Sequence, residues 1–366
     1  MFTFFLPLIL IIYCITIAWL IYGFTKITSF NFVGLKPINK FTIVVPFRNE
    51  AATLPLLLDS FSKLNYPTEL FEVLLVDDES EEQFSVFGFQ FSVRVIKNNR
   101  VSNSPKKDAI TTAMQQLNTA WIITTDADCV VAENWLLTLD NYIQNHDVSM
   151  IAGAVTYDCR NSFLHHFQQL DLTSLQGATI GSFGIGKGFM CNGANLAYTK
   201  SLFKELNGFE GNNSIASGDD VFLLQKAVAK FPERVHYLKS KSNIVVTKPV
   251  DSWSALFYQR VRWASKTTSY QSSFGKVLGL TVFAGNLSIV VGIGFWILDL
   301  FSWPTIVLLL LLKFVLDLVL IRKSHSFLTT TKMRYVVLSS LFYPFFSVSV
   351  ALYSLFGKYE WKGRRF

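Results

Sequence analysis

Charge is scarce in this chain. Asp, Glu, Lys and Arg make up 16% of its 366 residues while 51% are hydrophobic, against about 25% charged in a typical soluble domain. That excludes an ordinary soluble protein. Cysteine is scarce as well: Cys14, Cys129, Cys159 and Cys191 form no close pair and have no His cluster beside them. A disulfide-framed secreted scaffold and a structural zinc site are excluded, and a reducing compartment fits. Internal repeats and low-complexity tails are absent, which removes solenoids and fibrous arrays. Acidic residues are the minority charge, leaving a net charge of +7 and a pI near 9.1. The basic excess lies beside apolar runs, with Lys26, Lys36 and Lys40 after the first and Arg322, Lys323, Lys332 and Arg334 after the third in chain order, 303–321. It reads as contact with anionic membrane lipids, not with nucleic acid.

What the chain has in excess is apolar run length. Residues 4–24, 277–298 and 335–356 are uncharged over at least the length that crosses a hydrocarbon core. Residues 303–321 are a fourth candidate, interrupted by Lys313 and Asp317, whose i,i+4 spacing lets them neutralise each other inside a bundle. The first run has no basic residue before it and no small-residue cleavage site after it, so it reads as a retained anchor. The basic loops after the first and third runs place those loops, and the large domain between spans, on the cytoplasmic side of a plasma or inner membrane. Four full spans would then put the basic end outside, against the same tendency. Pro344, in the middle of the last run, leaves room for a broken or re-entrant segment there.

Between the first and second runs, strand and helix patterns alternate. Strands are expected over 41–45, 71–76, 93–96, 121–125 and 150–155, and helices over 53–64, 106–117 and 133–143. Near-continuous apolar strands separated by helices indicate an α/β fold with a mostly parallel sheet covered on both faces. Beyond Tyr157 the order is less regular, and the Gly-rich stretch 177–193 is expected to include a mobile loop. The expected domain plan is an anchor (1–25), a catalytic α/β domain (40–250), an amphipathic interfacial helix (251–275), a membrane region of about three helices (277–357) and a basic tail (358–366).

Three acidic motifs and one basic motif carry the chemistry. Asp77-Asp78-Glu79-Ser80 ends a strand, where a carboxylate can accept a hydrogen bond from a nucleotide base; the alternative is an acidic turn. Asp126-Ala127-Asp128 ends another strand, and carboxylates spaced by two can hold a hard cation together with phosphate oxygens. Its alternative is a solvated loop. Asp219-Asp220 stands at a helix start, as a cap or as a general base for an incoming hydroxyl. Strand ends of a buried parallel sheet gather along one rim, where open α/β folds bind ligands. Gln259, Arg262, Trp263 and Lys266 share one face of a helix over 252–266, opposite Trp253, Leu256, Phe257, Val261 and Ala264. That split suits a helix at a membrane surface, with Arg262 pairing with diphosphate oxygens. Lys106 or Lys107, starting a helix, could also meet a phosphate. His165 and His166 have no evident partner.

This ordered set resembles the membrane-bound family-2 glycosyltransferases, relatives of cellulose, hyaluronan and poly-N-acetylglucosamine synthases and of ceramide glucosyltransferase. The residues that carry the resemblance are Ile43 to Glu50, Val76 to Ser80, Lys106 to Ala109, Thr125 to Asp128, Gly193 to Ala197, Gly218-Asp219-Asp220 and Gln259 to Trp263. The resemblance implies a GT-A fold with N- and C-terminal transmembrane helices. It also implies an inverting displacement at the anomeric carbon of a nucleotide sugar, with UDP as carrier and Mg²⁺ or Mn²⁺ as cofactor. It gives Asp78 to the uracil, Lys106 and Asp126 to the nucleotide sugar, Asp128 to the metal and Asp220 to the base. Gln259, Arg262 and Trp263 match the family's donor-binding Q/R-x-x-R-W. Asp219 stands where the family has a Glu that orients the acceptor. The membrane part is small for a polymer-secreting relative, which favours a single transfer onto a lipid-linked or glycan acceptor. The rivals are a metal-dependent nucleotidyl or phosphoryl transferase, which needs no base opposite a sugar, and a non-catalytic scaffold, which leaves the acidic set unexplained.

Overall fold

The computed structural model describes residues 2–81, 88–212, 215, 217–356, 360–361 and 364–365. In chain order the elements are helix α1 (Phe2–Lys26), strand β1 (Phe41–Phe47), α2 (Leu54–Ser62), β2 (Phe71–Asp77), β3 (Ser92–Lys97), α3 (Pro105–Gln116) and β4 (Trp121–Thr124). Then come α4 (Trp135–Asn145), β5 (Met150–Gly153), β6 (Val155–Tyr157), α5 (Phe163–Gly184), β7 (Leu196–Thr199), α6 (Lys200–Glu205) and α7 (Asp219–Lys230). β8 (Val235–Leu238), β9 (Val245–Thr247), α8 (Trp253–Ala264), α9 (Ser273–Ile297), α10 (Trp303–Leu328) and α11 (Val336–Phe356) complete the set used below. They form two compact units. One comprises residues 28–158 and 188–248, the other 1–27, 159–187 and 249–366.

The first unit is built on a seven-stranded sheet in the order β3-β2-β1-β4-β7-β5-β8. β3, β2, β1 and β4 run parallel, and β7 is antiparallel to β4 and β5. Apolar residues on β1, β2 and β4 are buried, because helices cover a parallel sheet on both sides. Phe41, Ile43, Val45, Val73, Leu75 and Ile123 share one core with Leu54, Leu57, Leu58 and Phe61 of α2 and Trp135 of α4. The register pairs Val44 with both Leu74 and Thr124, and Phe47 with Asp77. The carboxyl ends of β1, β2 and β4 therefore share one rim, as the sequence pattern predicts. Pro46 does not end β1; it remains paired with Val76 near the strand end. The expected strand 150–155 is two strands, divided at Ala154, with β6 pairing β9 in a separate small sheet.

The second unit holds four helices long and apolar enough to cross a membrane: Phe5–Lys26, Ser273–Ile297, Trp303–Leu328 and Val336–Phe356. Lys313 and Asp317 do pair, at 2.5 Å, and Tyr13 of α1 donates to Asp317 at 2.6 Å. Pro344 lies inside α11 without breaking it, so the expected interruption is not there. The stretch 177–193 is part helix and part loop. Gly177, Gly181 and Gly184 belong to the long helix α5, and only the residues after it form a loop. A Cβ on Gly184 would stand 1.8 Å from the Gly23 carbonyl oxygen, and one on Gly181 2.4 Å from that of Leu20. These glycines let two backbones touch, the known use of small residues where helices pack in membranes. α5 itself groups with the spans although it lies within the 40–250 segment.

Candidate active site

The rim of the sheet unit is organised around one lysine. Lys106 sits in the first turn of α3, and its Nζ lies 2.6 Å from Asp126 Oδ1 and 3.6 Å from Asp219 Oδ2. Burial works against its charge, but the carboxylates of Asp126, Asp219 and Asp220 outweigh it and hold the ammonium well above the usual lysine range. Lys107 faces elsewhere. It is buried, donates to the carbonyls of Asn212 and Ile215 at 2.7 and 2.9 Å, and lies over the Phe222 ring. Thus Lys106 joins the carboxylates of the rim, and Lys107 ties down the chain leading to Asp219.

Asp219 and Asp220 form the first turn of α7 behind Gly218, whose φ of +85° suits glycine. The Gly193 N–H donates to Asp220 Oδ2 at 2.8 Å, and the Val221 N–H to Asp220 Oδ1 at 2.8 Å. Both oxygens are thereby oriented, with Asp220 partly open and Asp219 buried. A Cβ on Gly193 would stand 3.2 Å from Lys106 Nζ and Asp219 Oδ2, a tight contact from which those side chains would have to give by a few tenths of an ångström. Tyr198 is buried nearby, and burial together with Asp219 pushes its hydroxyl pKa up.

Asp78, at the end of β2, is buried; its Oδ1 accepts from Asn98 Nδ2 at 2.7 Å and lies 3.4 Å from Arg100 Nη1. Arg48 reaches its carbonyl at 2.9 Å. Asn49 and Glu79, just past β1 and β2, have φ of +53° and +61°. Asn49 is tied to the second turn by its N–H to Ser80 Oγ and its Oδ1 to the Glu81 N–H. Left-handed non-glycine residues at two adjacent strand ends mark a built site. Asn98 and Arg100 were not singled out in the sequence. Their roles follow from β3 standing next to β2, which local spacing does not reveal.

Asp126 and Asp128 follow β4. Cys129 Sγ lies 3.8 Å from Asp128 Oδ1, and burial, with Asp128 and Asp126, keeps that thiol protonated. Among the described residues no group of three or more His, Cys, Asp or Glu gathers to hold a metal unaided. The carboxylates present do fit Mg²⁺ or Mn²⁺, which bind through one or two carboxylates while substrate phosphates complete the shell. Thr125 Oγ1, buried beside them, has no hydrogen-bond partner among the described residues.

Gln259, Arg262 and Trp263 lie on α8, in the other unit, where the neighbour Arg260 proves central. Its Nε pairs with buried Asp171 of α5 at 2.5 Å, its Nη1 donates to Gln259 Oε1, and its guanidinium lies 4.2 Å from the Trp263 ring centre. Leu256 and Val261 pack with Phe167, Phe346 and Val350, so protein covers this face of α8. His165 does have a partner, Asp251 at 3.0 Å.

Residues 42–206 match the family model described as Glycosyl transferase family 2. That stretch is thus similar to family-2 glycosyltransferase domains, and the sheet and helices form a GT-A fold accompanied by four helices long and apolar enough to cross a membrane. Among curated proteins the chain is similar to glycosyltransferase AglE of Haloferax volcanii, 23% identical over 192 residues, which are 51% of this chain and 60% of that protein. The chain thus spans about three-fifths of the length of that relative. Among solved structures it is similar to mannosyltransferase PcManGT from Pyrobaculum calidifontis in complex with GDP-Man and Mn²⁺. The TM-score is 0.57 at 16% identity, over 96% of this chain and 97% of that one. The family match ends at residue 206, so Asp219, Asp220 and α8 lie beyond it.

Proposed function

We propose that this protein is an inverting, metal-assisted glycosyltransferase. It moves a sugar from a nucleotide sugar, with UDP as carrier, to a lipid-linked or glycan acceptor at the cytoplasmic face of a membrane. The observation that carries this reading is the cluster of Asp126, Lys106, Asp219 and Asp220 under Gly193. A carboxylate oriented by two backbone N–H groups stands there beside the residues expected to hold the donor.

In this reading Asp78 accepts from the base, while Lys106 and Asp126 hold the sugar diphosphate. Asp220 takes the proton from an acceptor hydroxyl as its oxygen bonds to the anomeric carbon. The bond from that carbon to the diphosphate breaks, and the nucleoside diphosphate leaves with the electron pair. Asp219 orients the acceptor, and Gln259, Arg262 and Trp263 bind the leaving diphosphate. A divalent cation on Asp128 would supply charge stabilisation for that leaving group. The cation in the PcManGT complex supports a divalent ion without choosing between Mg²⁺ and Mn²⁺.

The test is incubation of membranes containing the full chain with a panel of radiolabelled nucleotide sugars, counting lipid-phase and polymer-phase label separately. Label in the lipid phase from a UDP-linked donor is expected. Transfer of a nucleotide or phosphoryl group without the sugar would overturn the reading.

A further inference from the structure

One face of α5 grips α8 and the segment leading into it at three successive points. His165 Nε2 meets Asp251 Oδ1 at 3.0 Å. The Gln168 amide clamps Val250 from both sides, donating to its carbonyl at 2.8 Å and accepting from its N–H at 3.0 Å. Asp171 takes Arg260 Nε at 2.5 Å. Spacing by three keeps these residues on one side of a helix. Asp171 and Arg260 are both nearly sealed from solvent, with side-chain exposures of 5% and 6%.

Such a pair needs an explanation other than stability. Desolvating two charges costs about as much as their attraction returns, and an apolar pair of similar volume would often serve as well. A guanidinium offers what an apolar side chain cannot: a rigid plane with donors in fixed directions. Arg260 uses its Nε on Asp171, its Nη1 on Gln259 and its face on Trp263. Tyr343 of α11 also lies beside Asp171 and interacts with it electrostatically.

We propose that Asp171 is the positioning residue of the donor-binding helix. It fixes the plane of Arg260, and Arg260 sets the side chains of Gln259 and Trp263. The inference rests on the reading of α8 given under Proposed function and extends it to a residue 89 positions away from Arg260 in sequence.

The experiment compares full-length Asp171→Asn, the double variant Asp171→Asn/Arg260→Gln and Arg262→Ala, each purified in detergent. Measured are kcat, donor KM, inhibition by the nucleoside diphosphate product, and the folded fraction by gel filtration. The single variant leaves a lone buried charge and should lose folded yield. The double variant removes both charges and should regain it. A misplacement on the scale of 1 Å costs on the order of 10²-fold, so both Asp171 variants, as folded protein, should show ~10²-fold lower kcat/KM and weaker product inhibition. If the double variant regains wild-type kcat/KM together with its yield, Asp171 only balances a buried charge and the proposal is wrong. Should Arg262→Ala transfer sugar as well as wild type, the reading of α8 itself fails and takes this inference with it. A damaged Arg262→Ala beside a fully active double variant sinks the Asp171 inference alone.

Discussion

Asp220 accepts from the Gly193 and Val221 N–H groups, one on each carboxylate oxygen. Those bonds aim the carboxylate and leave lone pairs for a substrate proton. Asp220→Asn keeps the shape, so donor binding should survive while turnover falls ~10²-fold or more, the scale of a lost general base. Titration of the donor against both proteins, alongside single-turnover rates, checks this; an equal loss of affinity and rate would make Asp220 a cap of α7. Lys106 behaves differently with pH. Its pKa is raised in the folded state, so its ion pairs are fully present below the ordinary lysine value of 10.5 and are lost only as pH climbs through the higher folded value. The alkaline limb of activity near neutral pH therefore does not belong to Lys106. Asp126 and Asp220 were legible in the sequence because each sits at an element boundary with a local signature. Spacing alone left Lys106 and Lys107 open and only the family resemblance pointed to Lys106, since adjacent positions in a first helical turn differ only in what tertiary contact each meets.

Helix α5 reads poorly from sequence for a physical reason. Its glycines imitate a loop signal, and its buried Gln168, Gln169 and Asp171 break the apolar stripe that marks a packed helix. Those residues make sense only against α1, α8 and α11, elements far away in the chain. Strands β2 and β4, by contrast, announced themselves as apolar runs ending in acidic turns, so fold class and rim were legible before any long-range contact was known. The glycine interpretation makes a prediction at this level. A Cβ at Gly184 would meet the Gly23 carbonyl oxygen at 1.8 Å, with backbone on both sides and no flexible side chain to yield. Gly184→Ala should therefore destabilise the second unit by about 1–3 kcal/mol, the usual cost of overpacking. A melting temperature in detergent unchanged from wild type would show that α1 and α5 do not need this approach.

At the scale of the whole molecule, two expectations concern surroundings that bind the chain from outside. EDTA should abolish sugar transfer and Mg²⁺ or Mn²⁺ should restore it, because the proposed cation on Asp128 would offset the negative charge of the diphosphate. Full activity in EDTA would remove the proposed role of Asp128. The other expectation is sidedness. Four apolar helices that each cross a membrane put the segments before α1 and after α11 on the same side. The basic segments 26–40 and 322–334 favour the cytoplasm for the sheet unit and for the turn between α10 and α11. The same arithmetic sends the basic tail 358–366 outward, and with α11 unbroken at Pro344 no re-entrant turn relieves that conflict. The side chains of that tail lie outside the described residues, so the matter is one for labelling. In a background with the four native cysteines replaced, Leu300→Cys and Lys358→Cys should react with a membrane-impermeant maleimide on intact cells. Lys332→Cys should react only after permeabilisation. Labelling of Lys332→Cys on intact cells would reverse the orientation. A tail cysteine reached only after permeabilisation would mean that α11, though long and apolar enough, does not complete a crossing, and that the positive charge at the chain's end outweighs its apolar length.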